Sequence, residues 1–213
     1  MARTTRQREA GEQTRRETRR RLLVAAREEF AERGYGRATV ARIAERAGVT
    51  VPTLYSAWGS KRELLRGVME SAVSGSDDKG VDDSAPPVPM APPDPDATPH
   101  QLLVFLVRQF RLLAERSAFG WRTYRDAAAI DPEAADDWTA LMEIRRANFR
   151  HLIGRFPTDA LRPGLSREAA ADTAWVIASP DTYDQLVRFG GYTLDEFEEW
   201  VATTMAAAIL ATG

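Results

Sequence analysis

The chain has 213 residues, a formal net charge of −2 and no cysteine, which excludes a disulfide framework, thiolate metal ligands and a cysteine nucleophile. Its apolar runs are shorter than the about 18 residues that span a membrane, and its Arg-rich start lacks the apolar core of a secretory signal, so we expect a cytoplasmic protein. Residues 1–70 hold 16 Lys and Arg against 9 Asp and Glu and the remainder holds 13 against 22, a division typical of a nucleic-acid binder with a separate second module.

The first 33 residues divide into a polar start and a long amphipathic helix. Residues 1–13 have no apolar periodicity and are predicted to form a disordered basic arm, which either adds phosphate or minor-groove contacts or is a solvated tail. A helix is predicted at 14–33, ended by Gly34. Its apolar stripe consists of Leu22, Leu23, Ala26 and Phe30. The arginines on its other side, Arg15, Arg16, Arg19 and Arg20, either reach a DNA backbone or form an ordinary solvated face.

Residues 40–57 show the pattern of two short helices joined by a turn. Apolar residues one helical turn apart give the first helix an inner face, formed by Val40, Ile43, Ala44 and Ala47. Thr39 is placed to cap its start, and Gly48 follows its last periodic residue, where helices commonly end. Thr50 is placed to cap the second helix, 51–57. Such a pair forms a helix-turn-helix, whose second helix can lie in the major groove of DNA.

The second helix has a polar outer face opposite an inward Leu54. Short hydroxyl side chains and a phenol suit phosphates and base edges. The next helix begins at Ser60, with Glu63 as the expected partner in a capping box and Lys61 in a first turn whose free N–H groups suit a DNA phosphate. The predicted DNA contacts are Thr39, Thr50, Val51, Pro52, Thr53, Tyr55, Ser56 and Lys61. The alternative from pattern alone is an ordinary pair of antiparallel helices in a helical core.

Residues 20–68, which include the stretch from Phe30 to Tyr35, resemble the DNA-binding domain of the TetR family of bacterial regulators. Many members have His directly before the aromatic that here is Trp58, whereas this chain has Ala57, so one phosphate or base contact is expected to be absent. The resemblance implies an all-α fold. It places a three-helix helix-turn-helix DNA-binding domain at 14–60 and a helical ligand-binding and dimerisation domain at 61–213.

The remainder of the chain is also predicted to be helical, after one interruption. Seven prolines make 75–99 a flexible linker: Pro86, Pro87, Pro89, Pro92, Pro93, Pro95 and Pro99. Helices are predicted at 62–74, 100–116, 120–129, 131–156, 166–178 and 194–211, with a short one between Ser179 and Gly190. Neither strand alternation nor an internal repeat is found in the sequence.

Aromatic and polar residues from several of these helices are candidates for one small-molecule site. The predicted ligand-binding residues are Phe105, Gln109, Trp121, Tyr124, Met142, Arg145, Asn148, Phe149 and Trp175. Aromatics with a few polar anchors are typical of such sites, and the alternative is that they fill a hydrophobic core. Arg145 stands out, because an arginine on an apolar helix face needs a carboxylate partner or a ligand.

The last helix carries an apolar stripe that no later segment covers. The predicted dimer-interface residues are Leu194, Phe197, Val201, Thr204, Met205 and Ala208. The family resemblance implies a four-helix interface made by 166–178 and 194–211 of two protomers. The alternative is that the stripe packs only inside its own subunit.

The sequence contains few candidates for catalytic or metal-binding residues. Its two histidines, His100 and His151, are far apart, and neither an HExxH motif nor a P-loop is present, so we expect no enzymatic activity, no cofactor and no metal site. The resemblance implies a homodimeric repressor that binds a pseudo-palindromic operator in double-stranded DNA and is released by a small apolar or aromatic effector, with no membrane partner. The alternative is a DNA-binding regulator or architectural protein without an effector.

Overall fold

The computed structural model describes the backbone of residues 2–75, 94 and 96–211, and side chains from residue 10 onward. Its helices are α1 Ala2–Arg37, α2 Val40–Ala47, α3 Val51–Trp58, α4 Lys61–Ser74, α5 Pro99–Ala128, α6 Pro132–Ile153, α7 Arg167–Ile177, α8 Pro180–Tyr183 and α9 Leu194–Ile209. A 3-10 turn, Thr158–Ala160, and a π-helix, Asp184–Phe189, complete the elements. Extended pairing within the described residues is limited to one isolated bridge between Leu161 and Leu210. The all-helical prediction is therefore confirmed, while most of the predicted linker at 75–99 lies outside the described residues.

The chain forms two compact units, each of which draws on two separate stretches of sequence. Met1–Pro87 and Phe119–Ala135 form the first, called the head unit, and Val88–Ala118 and Asp136–Gly213 form the second, called the body unit. The head unit thus includes α4 and the corner where α5 ends and α6 begins. This division differs from the predicted boundary after residue 60.

Local signals in the sequence place most helix ends where the structure has them. Side-chain N-caps are present at Thr39, Thr50, Ser60, Ser166, Ser179 and Thr193. Thr193 forms a full capping box with Glu196. The Ser60 hydroxyl accepts from the Glu63 N–H at 3.1 Å, while the Glu63 carboxylate lies 3.4 Å from Arg66 Nη1. Gly48 ends α2 in the left-handed region, as predicted.

Helix α1 begins at Ala2, so its first turns occupy the segment predicted as an irregular arm at 1–13. Arginine, glutamate and glutamine favour helix even without an apolar stripe, and this propensity explains the difference. The helix is interrupted where the sequence predicts its end, because Gly34 adopts φ 70° and ψ 162°. Directly after this break, the Tyr35 side chain is buried.

Helix α5 corrects the prediction of two helices at 100–116 and 120–129, because it runs unbroken from Pro99 to Ala128. Gly120 lies inside it. A Cβ at Gly120 would lie 2.8 Å from the Met69 sulfur of α4. The glycine therefore allows a close approach of two helices within the head unit and does not mark a turn.

Part of the predicted dimer interface is buried in the core of the body unit instead. Phe197, Val201 and Met205 of α9 are buried in it, beside residues of α5 and α7. Leu194 and Ala208 are partly buried and pack against the same core, and Thr204 is half-buried. A stripe with helical spacing looks the same whether it faces its own chain or a partner, so its spacing cannot distinguish a core from an interface. Phe197, Val201 and Met205 are core residues.

Candidate nucleic-acid interface

Helix α3 presents the predicted polar face to solvent. Leu54 is fully buried, while Tyr55 on the next position is 50% exposed. The other predicted contacts of the turn and helix are exposed, except Val51, which is half-buried: Thr39, Thr50, Pro52, Thr53 and Ser56. The Thr50 hydroxyl accepts from the Thr53 N–H and lies 2.9 Å from the Thr53 hydroxyl, so the start of α3 is held in one arrangement.

Lys61, a predicted DNA contact in the first turn of α4, has its ammonium bonded within the head unit. Its ammonium donates to the carbonyls of Tyr35 (3.0 Å) and Ala38 (3.2 Å) and lies 4.0 Å from the centre of the Tyr35 ring. Burial lowers the pKa of Lys61, and the charge of Asp131 raises it in part. The ammonium thus closes the end of α1 instead of pointing outward.

Two arginines of α1 are also used inside the head unit. Arg19 Nη1 donates to the carbonyl of Ala57 at the end of α3, and its guanidinium lies 3.9 Å from the centre of the Trp58 ring. Arg21 donates to the carbonyls of Ala47 and Gly48 at the end of α2. Cations are favourable at the negative ends of helices. These side chains attach the helix-turn-helix to α1.

A buried carboxylate joins α1 to α2. Glu29 is 1% exposed and lies 3.2 Å from Arg33 Nε, 3.0 Å from Arg42 Nε and 3.3 Å from Arg46 Nη2. Arg46 also pairs with Glu32 at 2.5 Å, which lowers the pKa of the Glu32 carboxyl. This cluster was not predicted. Its one signal in the sequence is that Glu29 follows Ala26 by three residues and therefore lies next to the apolar stripe of α1.

The corner between α5 and α6 is joined to α1 by a hydrogen bond of Asp131. Asp131 caps α6 by accepting from the N–H groups of Glu133 (3.1 Å) and Ala134 (3.3 Å). Its other oxygen accepts from the Tyr35 hydroxyl at 2.8 Å, a bond that lowers the pKa of Asp131. Burial and this carboxylate raise the pKa of Tyr35. Asp131 is thus both the cap of α6 and a hydrogen-bonding partner of α1.

The predicted ligand-binding residues are divided between the two units. Trp121 and Tyr124 belong to the head unit and the other residues to the body unit. Within the body unit, the guanidinium of Arg145 lies 5.0 Å from the centre of the Phe149 ring and 5.8 Å from that of Trp175. Gln109 is buried, whereas Asn148 is exposed.

Arg145 has partners that the sequence analysis did not consider. It donates to the carbonyls of Trp175 (2.9 Å) and Ala178, where α7 ends. Burial lowers the pKa of Arg145 to about 10, against a raising effect of the Asp181 charge. The end of α7 thus supplies hydrogen-bond acceptors for the Arg145 guanidinium. At the other end of α7, Arg167 donates to the carbonyls of Ile153 (3.0 Å) and Phe156 (2.7 Å), where α6 ends.

Metal clusters and membrane-spanning helices are both absent from the part of the chain that the structure describes. It holds no group of three or more His, Cys, Asp or Glu that could bind a metal ion. None of its helices combines the length and the apolar character needed to cross a membrane.

Known proteins are similar to the head in sequence and to the whole chain in fold. Residues 22–68 match the family model of bacterial regulatory proteins, tetR family. The HTH-type transcriptional activator FasR of Mycolicibacterium smegmatis (strain ATCC 700084 / mc(2)155) is 47% identical over 57 residues, which are 27% of this chain and 26% of FasR. This similarity thus spans about a quarter of each protein.

Solved structures are similar over nearly the full length of the chain. The SmeT–triclosan complex superposes with a TM-score of 0.68 at 20% identity, covering 92% of this chain and 93% of SmeT. NalD, the secondary repressor of the MexAB-OprM multidrug efflux pump in Pseudomonas aeruginosa, gives 0.63 at 16% identity, with coverages of 92% and 98%. TylP, a TetR regulator from Streptomyces fradiae, gives 0.59 at 23% identity, with coverages of 91% and 86%. At these identities the likeness is one of fold.

The sequence match of residues 22–68 and the fold similarity of the whole chain point to the same kind of protein. The matched residues contain α2, α3 and the exposed face of α3, and the solved structures share the helical arrangement that follows. Residues 22–68 of this chain thus resemble the bacterial regulatory proteins of the tetR family in sequence, and α2 and α3 form a helix-turn-helix within them.

Proposed function

We propose that this protein regulates transcription by placing α3 in the major groove of an operator. The observation that carries the proposal is the outer face of α3, where hydroxyls and the Tyr55 phenol are exposed above a single buried Leu54. Such side chains contact phosphates and base edges. The basic charge of residues 1–70 supplies a sequence-independent attraction to DNA.

Operator reading by a homodimer is part of the same proposal. Two linked heads reach two half-sites, which favours a pseudo-palindromic operator. Because the inner stripe of α9 is used by its own core, we assign the interface to the outward faces of α7 and α9, which pack against each other. Val176 on α7 and the small side chains of Thr203 and Ala207 on α9 are exposed there. Small residues allow helix backbones to approach closely.

Release by a small apolar or aromatic effector is the third part of the proposal. It is supported by the aromatic residues around Arg145 and by the fold shared with SmeT, which was solved with triclosan. Repression is supported by the fold shared with the repressor NalD, whereas FasR is an activator. One observation favours the alternative of a regulator without an effector: Arg145, the polar anchor of the predicted site, is already used to close α7.

Selection from a randomised duplex library tests the proposal. We expect the wild-type protein to enrich an inverted repeat whose half-sites lie one helical turn, about 10 base pairs, or a multiple of it apart. Transcription from a promoter carrying that repeat should fall when the protein is added and recover with a bound compound found by thermal-shift screening. Failure to enrich any sequence contradicts the operator proposal, and increased transcription contradicts repression.

A further inference from the structure

Leu54 and Trp58, one turn apart, are the large inward side chains of helix α3, beside the half-buried Val51 and Ala57. Of its eight residues, Leu54 alone is fully buried, and Trp58, four residues later on the same side, is half-buried. One apolar anchor fixes where a helix touches its support but leaves the direction of its axis free. The second contact, at Trp58, therefore determines the direction of α3.

Trp58 is held from one side by α1. Its Nε1–H donates to the carbonyl of Arg19 at 3.2 Å, and the Arg19 guanidinium lies 3.9 Å from the centre of its ring. Arg19 Nη1 in turn donates to the carbonyl of Ala57. Two hydrogen bonds in opposite directions and a cation–π contact thus join one turn of α1 to the last turn of α3.

From the other side, Trp58 lies directly on the backbone of α4. A Cβ added at Gly67 would lie 2.5 Å from Cη2 and Cζ3 of Trp58, far inside van der Waals contact. The indole therefore occupies the space that any side chain at Gly67 would need. Gly67 itself is buried inside α4, where glycine costs helix stability.

We propose that Trp58 is the positioning residue of α3. Because it contacts Arg19 on one side and packs on Gly67 on the other, it sets the angle at which α3 meets the bases. Base contacts depend on that angle, whereas attraction to phosphates does not. The inference rests on the proposed function, in which α3 reads DNA. It predicts that disturbing the packing of Trp58 on Gly67 reduces discrimination between DNA sequences. The affinity for DNA of unrelated sequence should stay the same.

The first test is Gly67→Ala, measured by fluorescence anisotropy at one salt concentration. The probes are the duplex selected by the wild-type protein and a scrambled duplex of the same composition. We expect affinity for the selected duplex to fall about tenfold or more while affinity for the scrambled duplex is unchanged. Trp58→Phe removes the ring atoms nearest to the new Cβ, which otherwise lies within 3 Å only of Leu23 Cδ1, the end of a flexible side chain. The double variant should therefore bind the selected duplex as well as Trp58→Phe alone.

Gly120→Ala is the matched control. It makes the same replacement inside a helix of the head unit, and its new Cβ meets only the flexible Met69 side chain within 3 Å. It should leave both affinities unchanged. Arg19→Met, which keeps the stem and removes the guanidinium, should repeat the selective loss of Gly67→Ala. A uniform loss on both duplexes would identify Arg19 as a phosphate contact and would overturn its role in positioning.

The outcomes separate this inference from the function on which it rests. If the wild-type protein selects no sequence, the proposed function fails. If it selects one and Gly67→Ala keeps full discrimination, or loses both affinities equally, Trp58 is an ordinary core residue and the inference is wrong. The same conclusion follows if the double variant binds the selected duplex more weakly than Trp58→Phe alone. Circular dichroism melting of each variant shows whether a uniform loss reflects unfolding.

Discussion

Tyr55 is the largest side chain on the outer face of α3, and the proposed DNA contact can be tested there. Because half of its surface is exposed, Tyr55→Ala should change the free energy of unfolding by less than about 0.5 kcal/mol. Loss of a base or phosphate contact should weaken operator binding by about 1–3 kcal/mol in a mobility-shift titration. Phe189→Ala, which removes an exposed aromatic from the body unit, is the control. Unchanged operator binding by Tyr55→Ala contradicts this docking of α3.

The bond between Tyr35 and Asp131 is a second test at the level of single residues. Tyr35→Phe removes the donor to a carboxylate and should destabilise the head unit by about 1–2 kcal/mol in denaturant titrations at neutral pH. The lowered pKa of Asp131 means that its contribution is complete above the unfolded carboxyl pKa, near 4, and is lost as pH falls through the folded value. Acid should therefore narrow the difference between wild type and variant. A difference that is constant down to pH 2 refutes this assignment.

Local chemistry could be predicted from the sequence at these positions, but the partners of the cations could not. The caps at Thr39 and Asp131 follow from residue type and position, because their partners lie two or three residues away. Lys61 and Arg145 bond to carbonyls far away in the sequence. Every residue has a carbonyl, so nothing in the sequence marks which ones a folded chain leaves free at its helix ends.

The packing of α2 on α1 depends on the buried Glu29 carboxylate. Glu29→Gln keeps the shape but leaves Arg42 and Arg46 without this charge, and should destabilise the head unit by about 1–3 kcal/mol in urea titrations. Glu28→Gln is the matched control, since its carboxylate is exposed and pairs only with Arg46. It should cost less than about 0.5 kcal/mol. Equal effects of the two variants would show that the burial of Glu29 does not increase its contribution to the free energy of unfolding.

Helix positions were predictable wherever local signals decide them, and uncertain wherever packing decides them. Gly34 breaks α1 because its own backbone adopts a positive φ. Gly120 is also a glycine but lies inside α5, where its lack of a side chain leaves room for the neighbouring Met69. A sequence shows a glycine in both cases and does not show the helix that approaches it. The burial of Phe197, Val201 and Met205 of α9 in their own core could not be predicted for a similar reason, since the spacing of a stripe does not encode its partner.

The proposed dimer gives a test at the level of the whole molecule. Ala207 is exposed on α9, so Ala207→Arg changes no core contact but places a charge in the proposed interface. We expect a helical monomer in sedimentation velocity. Its operator affinity should fall at least about a hundredfold, because the two half-sites are then bound separately.

Ala140→Arg on α6 controls for the added charge. Ala140 is also exposed in the body unit but lies outside the proposed interface, so the variant should sediment and bind the operator like wild type. If Ala207→Arg also sediments as a dimer, the protomers meet on a different surface.

The arginine bonds at the ends of α6 and α7 have a consequence for how the body unit opens. Arg145 is carried by α6 and closes α7, whereas Arg167 is carried by α7 and closes α6. Neither helix can complete its last turn until the other is in place, so the two ends form and fray as one cooperative unit. Hydrogen exchange should accordingly be synchronous at both ends. Loss of either arginine should therefore speed amide exchange at the ends of both helices.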